Sequence, residues 1–287
     1  AEDCGLYSQF IAREIAKGND GLKAWNDARP PFTESIRVEM ASKLAYEARA
    51  PLYFVHLSNK ESIETVQRYK HKGTRLAAEA VIHTLTVSCE QEDEVGIWGK
   101  FVPPLRRWGE IHNMWRGIHA GVFDCVATDH CTYTLEDKTQ GQDKHKGSIW
   151  DIPPGISNGQ EHLLPVLWTE GVLTGRITVN ELAQLTSEKA ARHFGLYPRK
   201  GAISPGADAD LIIVDDSTWH TIDDKFYHGK DTRFSIYMGR KVTGRPKLTM
   251  LRGKTIMNDG KFVGSFEDGK HVEARLGMFS ASELSSS

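Results

Sequence analysis

Two short stretches of the 287-residue chain end in side chains that hold metal ions and move protons. In Pro51-Leu52-Tyr53-Phe54-Val55-His56 an apolar run stops at an imidazole. In Val122-Phe123-Asp124-Cys125-Val126-Ala127-Thr128-Asp129-His130-Cys131 another stops at a carboxylate with an imidazole beside it. A neutral imidazole and a carboxylate are ligands for zinc and similar divalent ions, and such an ion lowers the pKa of a coordinated water toward neutrality. The chemistry implied is metal-dependent hydrolysis, with His56 and Asp129 as metal ligands and Asp129 as the acid-base group. An isolated Asp-His pair more often caps a loop or helix and satisfies a nearby backbone group. A second strand ending in the same way outweighs that reading here.

Runs rich in Val, Phe and Leu with little polar alternation belong to parallel strands covered on both faces, and in α/β barrels the chemistry sits where such strands end. The pattern around the two runs fits. Leu6, Phe10, Ile11 and Ile15 recur at helical spacing before Gly18-Asn19. Beyond Arg29-Pro30-Pro31, Thr33 and Glu34 open a longer helix in which Ile36, Met40, Leu44 and Ala48 share a face. Lys60 to Lys72 is helical, with Ser58 or Asn59 as cap and Gly73 as terminator, and Thr74 to Val81 is a strand. A helix from Trp108 to Ala120 leads into the Asp129 strand. Strand, helix and strand joined by short links are the signature of right-handed parallel βαβ units. The stretches 84–107 and 132–158 read as loops, the first a functional loop at the barrel mouth. Glu161 to Glu170 and Val179 to Phe194 read as closing helices.

After Lys200 the helix period ends. A turn-rich lead enters Leu211-Ile212-Ile213-Val214, and Leu248 to Leu251, Thr255 to Met257 and Lys261 to Val263 read as strands, the last two joined by a tight turn at Asn258-Asp259-Gly260. The expected organisation is the second half of a (β/α)8 barrel over residues 1–200, a small β-sandwich domain over 201–266 and a Ser-rich tail over 267–287.

Composition is that of a globular protein, with 39% hydrophobic and 26% charged residues and a formal net charge of -2. No long basic block calls for nucleic acid or an anionic membrane as partner, and no segment has the apolar length of a membrane span. Cys4, Cys89, Cys125 and Cys131 form no Cys-x-x-Cys pair and read as free thiols of a reducing cytoplasm. Cys125 reads as core and Cys131 as a buried inert thiol close to Asp129. Ala1-Glu2-Asp3-Cys4-Gly5 shows no initiator Met, no signal-peptide pattern and no capping sequence, so it reads as the middle of something longer.

Taken together, these motifs resemble the cyclic amidohydrolases, in particular the hydantoinase and dihydropyrimidinase branch with its allantoinase relatives. Pro51 to Lys60 resembles that family's strand-six motif, whose His binds metal, and Ala127-Thr128-Asp129-His130 its strand-eight motif, whose Asp binds metal and shuttles a proton. Lys100 to Arg106 resembles the loop ending in Pro-Pro-Leu-Arg, and Gly195 through Asp210 the exit from the barrel into the small β domain.

The resemblance implies hydrolysis of a cyclic amide C-N bond, a small cyclic amide or ureide substrate and a homotetramer. It implies two zinc ions, or manganese or cobalt, bridged by a carboxylated lysine. That lysine, the strand-one His-x-His pair and the strand-five His fall before Ala1. For substrate it implies the main chain of Val102, with His130 beside it. The family's Ile-Pro-Asn-Gly motif reads Ile152-Pro153-Pro154-Gly155 here, which leaves Asn158 as the candidate amide. His83 falls where relatives have His or Gln and reads as a supporting residue rather than a ligand. Allantoinase or dihydroorotase chemistry and a non-catalytic, dihydropyrimidinase-like interaction protein are the alternatives. Retention of both His56 and Asp129 argues against the last.

Overall fold

The computed structural model describes residues 1–155, 159–226, 228 and 234–274, and the chain divides into two compact units. The first comprises residues 1–163 with 221–240, the second residues 164–220 with 241–287.

The first unit holds a three-stranded parallel sheet in the order β1 (Leu52–Phe54), β2 (Leu76–Val81), β3 (Cys125–Ala127). Tyr53 stands beside Ala77, and Cys125 beside Glu79. Side chains alternate across a strand, so Tyr53, Ala77, Glu79, Val81, Cys125 and Ala127 share one face of the sheet. The expected βαβ order is observed, and among the described residues the sheet does not close into a barrel.

Helices α1 (Cys4–Ala16), α2 (Gly21–Asp27) and α3 (Pro31–Ala48) precede β1, while α4 (Lys60–His71) and α5 (Trp108–His119) stand on the two crossovers. α4 forms because Asn59 caps it, its side chain accepting from Ser62 N–H at 3.0 Å, and because Ile63, Val66 and Tyr69 supply one apolar face. Burying each of these against the sheet and α3 stabilises by roughly 1.5–3 kcal/mol. α5 approaches α4 closely at Gly117, where a Cβ would stand 2.8 Å from the Phe123 ring and 3.1 Å from Ile63.

Three local features differ from the sequence pattern. Asp3 does cap the first helix, its carboxylate accepting from Leu6 N–H at 3.0 Å. In α3 the face Ile36, Met40 and Leu44 points outward, at 51%, 47% and 61% exposure, while Glu34, Val38, Ser42 and Ala45 face inward. Of the inward polar residues, Glu34 is held by partners far away in sequence, as described below, while the Ser42 hydroxyl is buried without a hydrogen-bond partner. The stretch 132–158 is not all loop, since Thr134 and Asp137 form a capping box that opens a short helix, Leu135–Thr139.

In the second unit an antiparallel sheet runs β4 (Leu211–Asp215), β5 (Arg245–Leu251), β6 (Lys254–Asn258), β7 (Lys261–Phe262). Both hairpin turns take positive φ at two successive residues, Arg252-Gly253 (48°, 80°) and Asp259-Gly260 (47°, 74°). That backbone matches the right-handed twist of the flanking strands. The second of these turns is legible from its Asp-Gly, and the first is carried by an arginine.

Candidate active site

His56 follows β1 by two residues and Asp129 follows β3 by two, and because the strands are parallel both emerge at one end of the sheet. Both adopt left-handed backbone, φ 40° for His56 and 48° for Asp129. For residues other than glycine this costs of order 1–3 kcal/mol and persists only where surrounding contacts over-determine it. The Nδ1 atoms of His56 and His130 are buried with no hydrogen-bond partner. Burial pushes the Asp129 carboxyl above its ordinary range, and the charge of His56 partly opposes that, which puts the two side chains within electrostatic reach. An orphaned imidazole nitrogen and a nearby carboxylate are a donor set that suits a divalent ion. Among the described residues no group of three His, Cys, Asp or Glu side chains is disposed to hold one.

Glu79 is the site residue that sequence reading passed over. It lies in β2, between the two strands that end in His56 and Asp129. Its Oε1 accepts from the His56 backbone N–H at 3.3 Å and its Oε2 from the Tyr53 hydroxyl at 2.9 Å. Tyr53 Oη also stands 2.8 Å from Cys125 Sγ, so one polar chain links all three strands. Burial raises the Glu79 carboxyl, opposed by the Tyr53 hydrogen bond. The signal for it was present: a lone acid inside Leu76-Ala77-Ala78-Glu79-Ala80-Val81.

His83 follows β2 at the same end and is completely buried, with both ring nitrogens lacking a hydrogen bond. Burial, helped by the charges of His56 and Lys138, lowers its pKa to about 3, so it is a neutral ring at any ordinary pH. It stacks on Phe101 with centroids 4.4 Å apart, which sets the segment carrying Val102 against the end of β2. That segment is held from the other side by two lysines. Lys138 is buried and donates to the carbonyls of Lys100 (2.9 Å), Pro153 (3.1 Å) and Gly155 (2.8 Å). Burial lowers it to about 7, with the charge of Lys100 adding to the effect. Lys100 donates to Ile152 O at 2.6 Å. Gly155 itself, at φ 131°, fits between Tyr133 and Cys131, where a Cβ would stand 2.8 and 3.1 Å from them. Lys138 had no sequence signal, being one lysine among several in a polar stretch.

His130 donates its backbone N–H to Thr128 Oγ1 at 3.3 Å and lies within electrostatic reach of the buried His162, whose pKa falls to about 3 through burial and then through His130. Asn158 lies outside the described residues. Cys131 is half-buried, its thiol 3.8 Å from the Asp129 carbonyl, and Cys125 and Cys89 are buried.

Beneath His56 runs a fully buried charged network. The Glu34 carboxylate accepts from Ser58 N–H at 3.0 Å and from the Ser58 hydroxyl, and stands 3.6 Å from the Arg106 guanidinium. Arg106 also donates to Ser58 Oγ at 3.0 Å and to the Arg29 carbonyl. Ser58 is two residues past His56, so this network ties α3 and the Pro-Pro-Leu-Arg segment to the backbone that presents the imidazole.

Residues 46–256 match the model of the amidohydrolase family. The chain belongs to that family. It is 34% identical over 251 residues to the D-hydantoinase of Ralstonia pickettii, covering 86% of this chain and 54% of the relative. It is 29% identical over 277 residues to the dihydropyrimidinase of Arabidopsis thaliana, covering 95% and 51%. Among solved structures, that of the dihydropyrimidinase from Brevibacillus agri NCHU1002 superposes with a TM-score of 0.87 at 25% identity, over 98% of this chain and 60% of that one. The chain thus spans about half the length of the curated relatives it matches. Among the described residues no helix is long and apolar enough to cross a membrane.

Proposed function

We propose that this chain is the C-terminal half of a (β/α)8 barrel over residues 1–200, with a β-sandwich over 201–266 and a tail over 267–287, and that it serves a hydrolase opening the C-N bond of a cyclic amide or ureide. The observation that carries this is His56 and Asp129, both held in left-handed backbone at one end of the parallel sheet of an amidohydrolase-family chain. In the proposed site His56 and Asp129 would be ligands of a divalent-metal centre, of two zinc ions or alternatively manganese or cobalt, together with a carboxylated lysine that is not among the residues of this chain. When bound, the metal supplies Lewis-acid activation of water and of the ring carbonyl. Asp129 takes the proton of the attacking water and delivers it to the leaving ring nitrogen. The main chain of Val102 and the side chain of His130 contact substrate, Asn158, outside the described residues, is the candidate amide, and the assembly is a cytoplasmic homotetramer.

The test is a metal analysis of the full-length protein by mass spectrometry together with hydrolysis assays on hydantoin, dihydrouracil, allantoin and dihydroorotate. Hydantoin or dihydrouracil turnover is expected, and Asp129→Asn should lower kcat by roughly 10²–10⁴ with little change in KM. Turnover of allantoin or dihydroorotate alone would move the substrate class. Unchanged kcat in Asp129→Asn would assign the residue to structure, and a metal-free protein inert on all four would favour an interaction protein.

A further inference from the structure

We infer that Glu79 is a positioning residue for His56: its carboxylate, anchored by the Tyr53 hydroxyl, fixes the His56 peptide in its left-handed conformation and so aims the imidazole across the end of the sheet. The inference deepens the proposed hydrolase reading and rests on it for the use of the imidazole, though not for the positioning itself.

Three observations converge. First, Glu79 shares its face of the sheet with Tyr53 and Cys125, and its two oxygens are divided between two donors on β1 and its exit, Tyr53 Oη–H at 2.9 Å and His56 N–H at 3.3 Å. Second, the backbone around the bond is itself pinned to the same residue, because Leu57 N–H donates to the Glu79 carbonyl at 3.0 Å. Glu79 therefore holds the chain on both sides of the His56 Cα, by its side chain before it and its main chain after it. Third, φ at His56 is 40°, an uncommon conformation for a residue other than glycine, and the two Glu79 contacts flank the Cα that adopts it. The His56 Nδ1 is buried and unpartnered, so no hydrogen bond of the ring itself sets its direction from that atom; the peptide does.

A merely structural acid would serve by filling space and accepting from Tyr53, and the variants separate the two roles. Glu79→Gln keeps an acceptor oxygen for His56 N–H, and its amide can donate to the Tyr53 oxygen. Glu79→Leu keeps the volume and loses both. Tyr53→Phe leaves the carboxylate and removes its anchor. The experiment is NMR on the isotope-labelled 287-residue chain, reading amide hydrogen exchange and ring chemical shifts at His56. Glu79→Leu is expected to speed exchange of the His56 amide by about 10-fold or more and to shift its ring signals, while Glu79→Gln stays within about 3-fold of the parent. Should Glu79→Leu not fold, Tyr53→Phe decides, with about 3-fold faster exchange expected at His56. Equal exchange at His56 in the parent and in Glu79→Leu, or in the parent and in Tyr53→Phe where that variant decides, overturns the inference, as does a Glu79→Gln that behaves like Glu79→Leu. A titration with Co²⁺ alone, followed by paramagnetic broadening of the His56 and Asp129 signals, tests the metal reading separately. Absence of broadening beside the expected exchange pattern would sink the metal site and leave the positioning role standing.

Discussion

Replacing Glu34 with glutamine should destabilise the first unit strongly while leaving every surface unchanged. Glu34 and Arg106 are 0% and 1% exposed as side chains and stand 3.6 Å apart, with Ser58 and the Arg29 carbonyl bonded to the pair, Asn26 3.5 Å from Arg106, and Glu2 and Glu110 within its electrostatic reach. Taking away one member of such a pair leaves an uncompensated buried charge, a loss of about 3–5 kcal/mol. Gln keeps one acceptor for Ser58, so the lower end, about 3 kcal/mol, is expected. At about 2–4 °C per kcal/mol for a unit of this size, the melting transition should fall by about 6–12 °C. The double variant Glu34→Leu with Arg106→Met removes both charges, and replacing a buried pair by apolar groups is often close to neutral. It should therefore be more stable than Glu34→Gln, with a coupling energy of about 2 kcal/mol or more between the sites. Urea unfolding followed by circular dichroism, with the parent, Glu34→Leu, Arg106→Met and the double, supplies the cycle. Single variants within about 0.5 kcal/mol of the parent, or strictly additive effects, would refute the claim that the two charges depend on each other.

Other expectations follow from the same geometry. His83 is held neutral with its pKa lowered to about 3, below the ordinary imidazole value of 6.5, so the unfolded chain binds its proton first as pH falls. Its contribution is complete above pH 6.5 and is lost progressively down to about 3, which amounts to up to roughly 2 kcal/mol at pH 5. The drop in urea midpoint between pH 7 and pH 5 should therefore shrink in His83→Gln, and identical drops would contradict the assignment. Lys138→Met removes three hydrogen bonds, to the carbonyls of Lys100, Pro153 and Gly155, of which Lys100 O keeps the Gly155 N–H, for an expected loss of roughly 2–4 kcal/mol. Limited proteolysis should then cut near residues 150–155 faster than in the parent, and an unchanged digestion pattern would show that the lysine does not hold that segment.

Much of the scaffold was legible because it is local. Apolar runs closed by His56 and Asp129, the Asn59 cap before Lys60, the Gly73 stop and the Asp259-Gly260 turn each carry their structural consequence within a few residues of chain, so period and turn chemistry were enough. What only the tertiary structure decided depends on partners distant in sequence. The helical period of α3 offers two candidate faces, and the more apolar one, Ile36, Met40 and Leu44, is outside. The inner face is chosen because Glu34 meets Ser58 and Arg106, 24 and 72 positions further along the chain, a match that no window of sequence contains. Lys138 looks like a solvated lysine until the carbonyls of two other segments converge on it. Glu79 looks like an acid misplaced in a strand until Tyr53 and the strained His56 peptide are seen to share its two oxygens. The sequence by itself determined the strands that lead into His56 and Asp129 and the shared end of the sheet at which both emerge. The buried polar contacts that hold those residues in place were decided by folding, because each needs donors and acceptors brought together from separate elements.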